Sequence, residues 1–274
     1  MIIDSHQHFW RLDRGDYSWL TPQLAPIYRD FGPTDLAPIL ARHRIDGTVL
    51  VQAAATVAET DYMLAIAAQS DFVRGVVGWV DFDSAGAASE IARLARNPML
   101  KGLRPMIQDI ADPDWMLKPA LRPAFAALQR CRLRFDALLK PQHLAPFVRL
   151  LGLYPDLPIV VDHGAKPSIA RRQFQDWAAG MRAIARDPRV FCKISGFVTE
   201  AAPDWRAEDI EPYLDLLVEN FEPRRLMWGS DWPVVNLAGG YERWRETSLN
   251  YLARLNPAEQ SAILGGTAQR FYGL

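Results

Sequence analysis

The sequence predicts a (β/α)8 barrel forming one domain over residues 1–274. Three observations predict it. Short runs rich in Val, Ile, Leu and Phe recur along the whole chain, stretches with apolar residues at i, i+3 and i+4 separate them, and chemically capable residues gather just after the runs. Near-continuously apolar strands, each followed by a helix, indicate parallel strands covered on both faces. A doubly wound open sheet competes with the barrel, but no GxGxxG follows the first strand to support it.

The first run, "MIID", leads into His6 and His8. Alternate side chains of an extended strand share a face, so one strand can aim both rings at one point. The segment that follows, from Phe9 to Pro38, is irregular and rich in Pro and aromatics, including Trp10, Tyr17 and Trp19. Connections this long are uncommon without a function, and this one would lie over the barrel mouth. Overlapping its end and running past it, "DLAPILARH" has helical spacing and ends at His43, which suits pairing with a helix C-terminus.

The remaining runs alternate with helical stretches in order. "GTVLVQAA" precedes "TDYMLAIAAQ", and "VRGVVGWVDF" precedes "SEIARLAR". "LKGLRPM" delivers Arg104 before "PAFAALQR", and "LRFDALL" ends at Lys140 before "HLAPFVRLL", whose helix start holds His143. "LPIVVDH" delivers Asp162, His163 and then Lys166 before "FQDWAAGMRAIARD". "VFCKISG" delivers Ser195 before "IEPYLDLLVEN", and "RLMWGSD" delivers Ser230, Asp231 and then Trp232. The helices "YERWRETSLNYLARL" and "PAEQSAILGGTAQRFY" close the barrel.

With 49% hydrophobic residues the chain can bury a large core, and a net charge of −1 gives no global field to draw in nucleic acid or an anionic membrane. A small-molecule partner is expected. Cys131 and Cys192 sit in strand-like segments outside any CxxC pattern, which suits reduced thiols. No leader pattern opens the sequence and no segment approaches ~18 uninterrupted apolar residues. A cytoplasmic protein without membrane or nucleic-acid partners is expected, of unspecified oligomeric state.

Three of the five histidines thus meet an acid at one mouth. Singly, each has a structural explanation: a turn cap for Asp231, a strand end for His163, a solvated rim charge for Arg104 or Lys140. Together they point to a reaction centre. The phrases "IDSHQHFW", "KGLRP", "VVDHGAKP" and "MWGSDWPV" resemble the amidohydrolase superfamily in its amidohydrolase-2 branch, and within that the sugar-acid lactonases. The resemblance covers essentially the whole chain.

That resemblance implies an amidohydrolase-type barrel, with His6, His8 and Asp231 on metal and catalytic positions and His163 on the strand-six histidine. It implies hydrolysis of a sugar-acid lactone, a deoxy-sugar lactone for instance, with Asp231 as base and acid. One divalent metal, zinc or manganese, is implied, and some lactonases of this branch work without one. The fourth strand carries Lys101 and Arg104 but lacks the bridging lysine or glutamate of two-metal members, so a two-metal centre is not expected. Lys140 likewise stands where a strand-five histidine would be.

Arg104 and Lys166 suit the oxyanion or the ring oxygens, Lys140 and Ser195 suit sugar hydroxyls, and Trp10, Tyr17, Trp19 and Trp232 offer flat faces to a sugar ring. Three other readings remain open at this point. They are hydrolysis of an aromatic-derived dicarboxylate lactone, metal-dependent decarboxylation on the same barrel, and a catalytically silent binding barrel.

Overall fold

The apolar runs become strands that pair in parallel in sequence order, in a computed structural model describing the whole chain, Met1–Leu274. They are β1 (Ile3–Gln7), β2 (Gly47–Val51), β3 (Val73–Gly78), β4 (Leu100–Leu103), β5 (Arg134–Ala137), β6 (Ile159–Val161), β7 (Val190–Ile194) and β8 (Leu226–Trp228). Around them lie α1 (Pro33–His43), α2 (Val57–Ala67), α3 (Ala87–Leu94), α4 (Arg122–Arg130), α5 (Leu144–Leu153), α6 (Gln175–Ala185), α7 (Ala207–Phe221) and α8 (Gly240–Leu252). The result is the expected (β/α)8 barrel.

The seam between last and first strands closes through backbone bonds. His8 N donates to Trp232 O at 2.7 Å and Asp231 N to His6 O at 2.8 Å, while Ser5 Oγ donates to Trp228 O at 2.7 Å. The exit of β8 is thereby fastened to the exit of β1.

Strand ends differ from the apolar runs for reasons that lie elsewhere in the chain. β1 extends past "MIID" to Gln7 and so contains His6. β3 stops at Gly78 because Thr60 Oγ1 takes over both backbone groups of Trp79, accepting from its N at 2.8 Å and donating to its O at 2.9 Å. β6 stops at Val161 ahead of a run of left-handed residues from His163 to Lys166.

Packing follows two layers. Trp177, Trp228, Trp244, Phe125 and Phe135 are fully buried between strands and helices, each contributing roughly 1.5–3 kcal/mol relative to exposure. A smaller cluster joins Ile3, Val49, Val77 and Met227 to Phe271 and Tyr272 of the C-terminal helix. That helix caps the N-terminal ends of the strands, because Phe271 O accepts from Arg134 Nε at 2.6 Å and Gly273 O from Lys101 Nζ at 3.2 Å.

The last helical stretch of the sequence is interrupted. It forms α9 (Pro257–Ser261) and α10 (Thr267–Tyr272), with a wide turn between them. At Gly265 the N-terminal backbone passes so close that a Cβ would lie 2.2 Å from Met1 O, so no side chain is accommodated at that break. The Phe9–Gly32 segment contains only two short 3-10 turns and one antiparallel bridge between Trp10 and Phe31. Cys131 caps the end of α4 and lies outside β5, Cys192 is buried in β7, and both are free thiols. No helix is long and apolar enough to cross a membrane.

Candidate active site

At the C-terminal ends of the strands three histidines surround one carboxylate oxygen. Asp231 Oδ1 lies 3.2 Å from His8 Nε2, 3.8 Å from His6 Nε2 and 3.9 Å from His163 Nε2. The ring of His6 stands 4.9 Å from that of His8 and 4.4 Å from that of His163, centroid to centroid. All four side chains are buried or nearly so.

The backbone around them is held in uncommon conformations. Asp231 has φ +59°, and His163, Ala165 and Lys166 have φ between +47° and +59°, a region that side chains with a Cβ seldom adopt. Trp177 Nε1 stabilises the strand-six turn by donating to Gly164 O at 2.6 Å. Gly196, with φ +66°, gives His163 its room: a Cβ there would meet His163 Nδ1 at 2.5 Å. Ser195 Oγ, next to that glycine, stands 2.8 Å from the same nitrogen.

Donor and acceptor roles follow from the partners. His8 Nδ1 is 2.7 Å from Val51 O, which can only accept, so Nδ1 carries the proton. A neutral His8 therefore turns a bare Nε2 toward the Asp231 oxygen, and two lone pairs converge with no donor between them. A proton on Nε2 or a shared cation resolves that opposition. The 3.2–3.9 Å separations match ligands sharing an ion with bonds of about 2.1 Å, whose donor atoms stand roughly 3.4 Å apart. His6, His163 and Asp231 in particular offer donor atoms all within 4.8 Å of one another. The donor set thus fits one divalent cation, and no bridging carboxylate or lysine from β4 stands by for a second.

His6 is also gripped from behind. Its Nδ1 lies 3.2 Å from Lys193 Nζ, and its Nε2 lies 3.3 Å from Arg104 Nη1. Burial first, and then Lys193, His8 and Arg104, hold His6 well below its ordinary pKa. Burial does the same to His163 against the pull of Asp231. For Asp231, burial works against ionisation, but His163 and His8 outweigh it and keep the carboxyl below the usual range. Asp162 is likewise held low by Lys193 and Arg104 despite complete burial.

The cluster opens into a cavity of about 510 Å³. Trp19, Arg104 and Lys166 line it as the sequence led one to expect, together with Asp16, Gln108 and Asp109. Five expected substrate contacts lie outside its lining. Trp10 is buried in an aromatic cluster with Phe31 and donates its Nε1 to Arg29 O at 2.8 Å, and Trp232 packs edge-on against Phe9 and Phe31. Lys140 straps the β4 loop by donating from Nζ to Gln108 O at 2.9 Å, and Ser195 stands behind His163. Tyr17 likewise turns its hydroxyl inward to Glu59.

Two buried residues escaped the sequence reading. Lys193, in the middle of β7, donates to Asp136 Oδ2 at 2.7 Å and pairs with Asp162 Oδ1 at 3.0 Å. A lone lysine or aspartate inside "VFCKISG" and "LRFDALL" was the available signal, since a charge within a strand buried on both faces must have a partner. Lys101, by contrast, points to the opposite end of the barrel.

Comparison with known proteins gives the chain its lineage. An L-fucono-1,5-lactonase of Burkholderia ambifaria is 44% identical, aligned over 98% of this chain and 94% of that protein. An L-fucono-1,5-lactonase of Burkholderia multivorans is 37% identical over 99% of this chain and 96% of its own length. The crystal structure of a Burkholderia multivorans amidohydrolase with bound zinc superposes with a TM-score of 0.95 at 35% identity, covering 100% of this chain and 99% of the other. The family model described as amidohydrolase matches residues 3–274, and the chain belongs to that family.

Proposed function

We propose that this enzyme opens a sugar-acid lactone to the free aldonic acid, with L-fucono-1,5-lactone or a similar deoxy-sugar lactone as substrate. The observation that carries this reading is a reactive carboxylate, ringed by three histidines, at the base of a cavity whose wall mixes Trp19 and apolar side chains with Asp16, Asp109 and Gln108. Such a wall suits a neutral ring bearing hydroxyls, with an apolar face for C–H groups and acceptors for O–H groups. Two relatives bearing the L-fucono-1,5-lactonase name along nearly the whole chain support the same conclusion.

Asp231, ionised at neutral pH, takes a proton from the attacking water and returns it to the departing ring alkoxide. Water adds to the carbonyl carbon, the acyl C–O bond breaks, and a carboxylic acid and a hydroxyl appear on one open chain, the acid then releasing its proton to solvent. Arg104 and Lys166 face the developing oxyanion or the ring oxygens from the cavity wall. A zinc or manganese ion held by His6, His163 and Asp231, with His8 alongside, would supply Lewis acidity to the carbonyl or the water.

A dicarboxylate lactone fits this wall less well. Lys140 is committed to Gln108 O and lies outside the lining, while Asp16 and Asp109 add negative charge to it.

The test is hydrolysis of L- and D-sugar 1,4- and 1,5-lactones beside aromatic dicarboxylate lactones. Native and chelator-treated protein are compared, with bound metal measured by elemental analysis. Deoxy-sugar lactones are expected to turn over fastest, and Asp231→Asn is expected to lower kcat by about 10²- to 10⁴-fold. Turnover confined to dicarboxylate lactones, or absent from every lactone, would sink the reading.

A further inference from the structure

Beneath the cavity wall lies a buried carboxylate that takes no part in the centre described above. Glu59 sits in the first turn of α2 and is fully buried. Thr56 caps that helix by accepting from Glu59 N at 3.0 Å, and a reciprocal capping box would return the glutamate side chain to Thr56 N. The carboxylate turns elsewhere. Its Oε2 accepts from Tyr17 OH at 2.6 Å and its Oε1 from Ala53 N at 3.2 Å, with Arg14 Nε 3.7 Å away.

Two further bonds tie the same loops together: Thr56 Oγ1 donates to Asp16 Oδ2 at 3.1 Å and Trp19 Nε1 to Ala53 O at 2.7 Å. Asp16, Ser18, Trp19 and Ala53 line the cavity, whereas Tyr17 and Glu59 lie behind it. One carboxylate therefore bonds directly to both stretches of chain that form this wall.

We infer that Glu59 is a positioning residue for substrate binding, fixing through Tyr17 and Ala53 the wall that carries Asp16 and Trp19. The inference rests on the lactonase reading. A fully buried carboxylate is costly unless its hydrogen bonds are made, and here they run to two loops at once. The reacting groups come from β1, β6 and β8, so a loosened wall weakens substrate binding far more than proton transfer.

The variants to make are Tyr17→Phe, Glu59→Gln, Glu59→Ala and the double Tyr17→Phe/Glu59→Ala, assayed on the lactone the unaltered protein opens fastest. Glu59→Ala is expected to raise KM about 10-fold or more while kcat changes less than about 3-fold. Glu59→Gln keeps an oxygen acceptor for one of the two donors and is expected to recover much of that loss. The double variant should be no worse than Glu59→Ala alone, because both changes break one contact.

Should Glu59→Ala fail to fold, Tyr17→Phe removes a single oxygen and still decides the matter. Unchanged KM in folded Tyr17→Phe overturns the inference, and so does a loss confined to kcat. The two claims fail separately: an unaltered protein that opens no lactone defeats the lactonase reading and this inference with it. An active one whose variants match it defeats the inference alone.

Discussion

Lys193 is the residue on which the buried charges turn. Its ammonium donates to Asp136 Oδ2 at 2.7 Å and stands 3.0 Å from Asp162 Oδ1 and 3.2 Å from His6 Nδ1. Lys193→Met would leave the fully buried Asp136 without a cation and Asp162 with Arg104 alone. Loss of one partner from such a set costs about 3–5 kcal/mol, and a fall in Tm on the order of 10 °C is expected by differential scanning calorimetry. An unchanged Tm would show that the aspartates find other partners. At this scale the sequence was legible where residues follow a strand and opaque where they lie within one. His6, His8, His163 and Asp231 could be gathered by assuming a barrel, since the fold delivers strand ends to one place. Lys193 is masked by its apolar neighbours. The direction of Trp10, Trp232 and Lys140 depended on contacts with Phe31, Phe9 and Gln108, which no local pattern specifies.

Among the elements, α2 makes stability depend on pH through its first turn. Burial pushes the Glu59 carboxyl up from an ordinary 4.5 to about 7, although Tyr17, Ala53 and Arg14 oppose the shift. The groups facing it are Tyr17, Arg14 and Asp16 from the cavity-wall segment and Tyr62 from its own helix. The folded protein therefore holds this proton more tightly than the unfolded chain. The associated stability is fully present below the unfolded value and is lost as pH rises through about 7. Asp4, pushed up to about 6 by burial, acts in the same direction. Glu59→Gln removes the Glu59 part, so Tm measured between about pH 5 and pH 8 should decline less steeply than in the unaltered protein. An identical slope would assign the dependence to Asp4 and other groups. The order and type of elements were readable because apolar runs and helical spacing are local properties. Their ends were not. Thr60 stops β3 from a distance, and the left-handed turn after Val161 is held by Trp177 and Phe197, which meet it at Gly164.

For the whole molecule, the two ends of the barrel differ in kind: the C-terminal ends of the strands carry the histidine–aspartate cluster, and α10 seals the opposite end. Tyr272 OH reaches Asp136 Oδ2 at 2.5 Å, so the seal also shares in the buried charge network. Deleting residues 267–274 would uncover Ile3, Val49, Val77 and Met227 and leave Asp136 one donor short. Loss of the cooperative thermal transition by circular dichroism is expected, whereas Tyr272→Phe should cost only about 1–3 kcal/mol and keep the transition. The barrel itself was legible because parallel strands buried on both faces leave a repeated signature, but the plug was read as one helix, and only the passage of Met1 past Gly265 explains its break. The seam between β1 and β8 carries a last consequence. His6 and His8 are made well before the carboxylate they surround, which follows 223 residues after His8. A chain halted partway on the ribosome holds part of this cluster and cannot assemble the rest, so the proposed centre comes into being only when the last strand docks on the first.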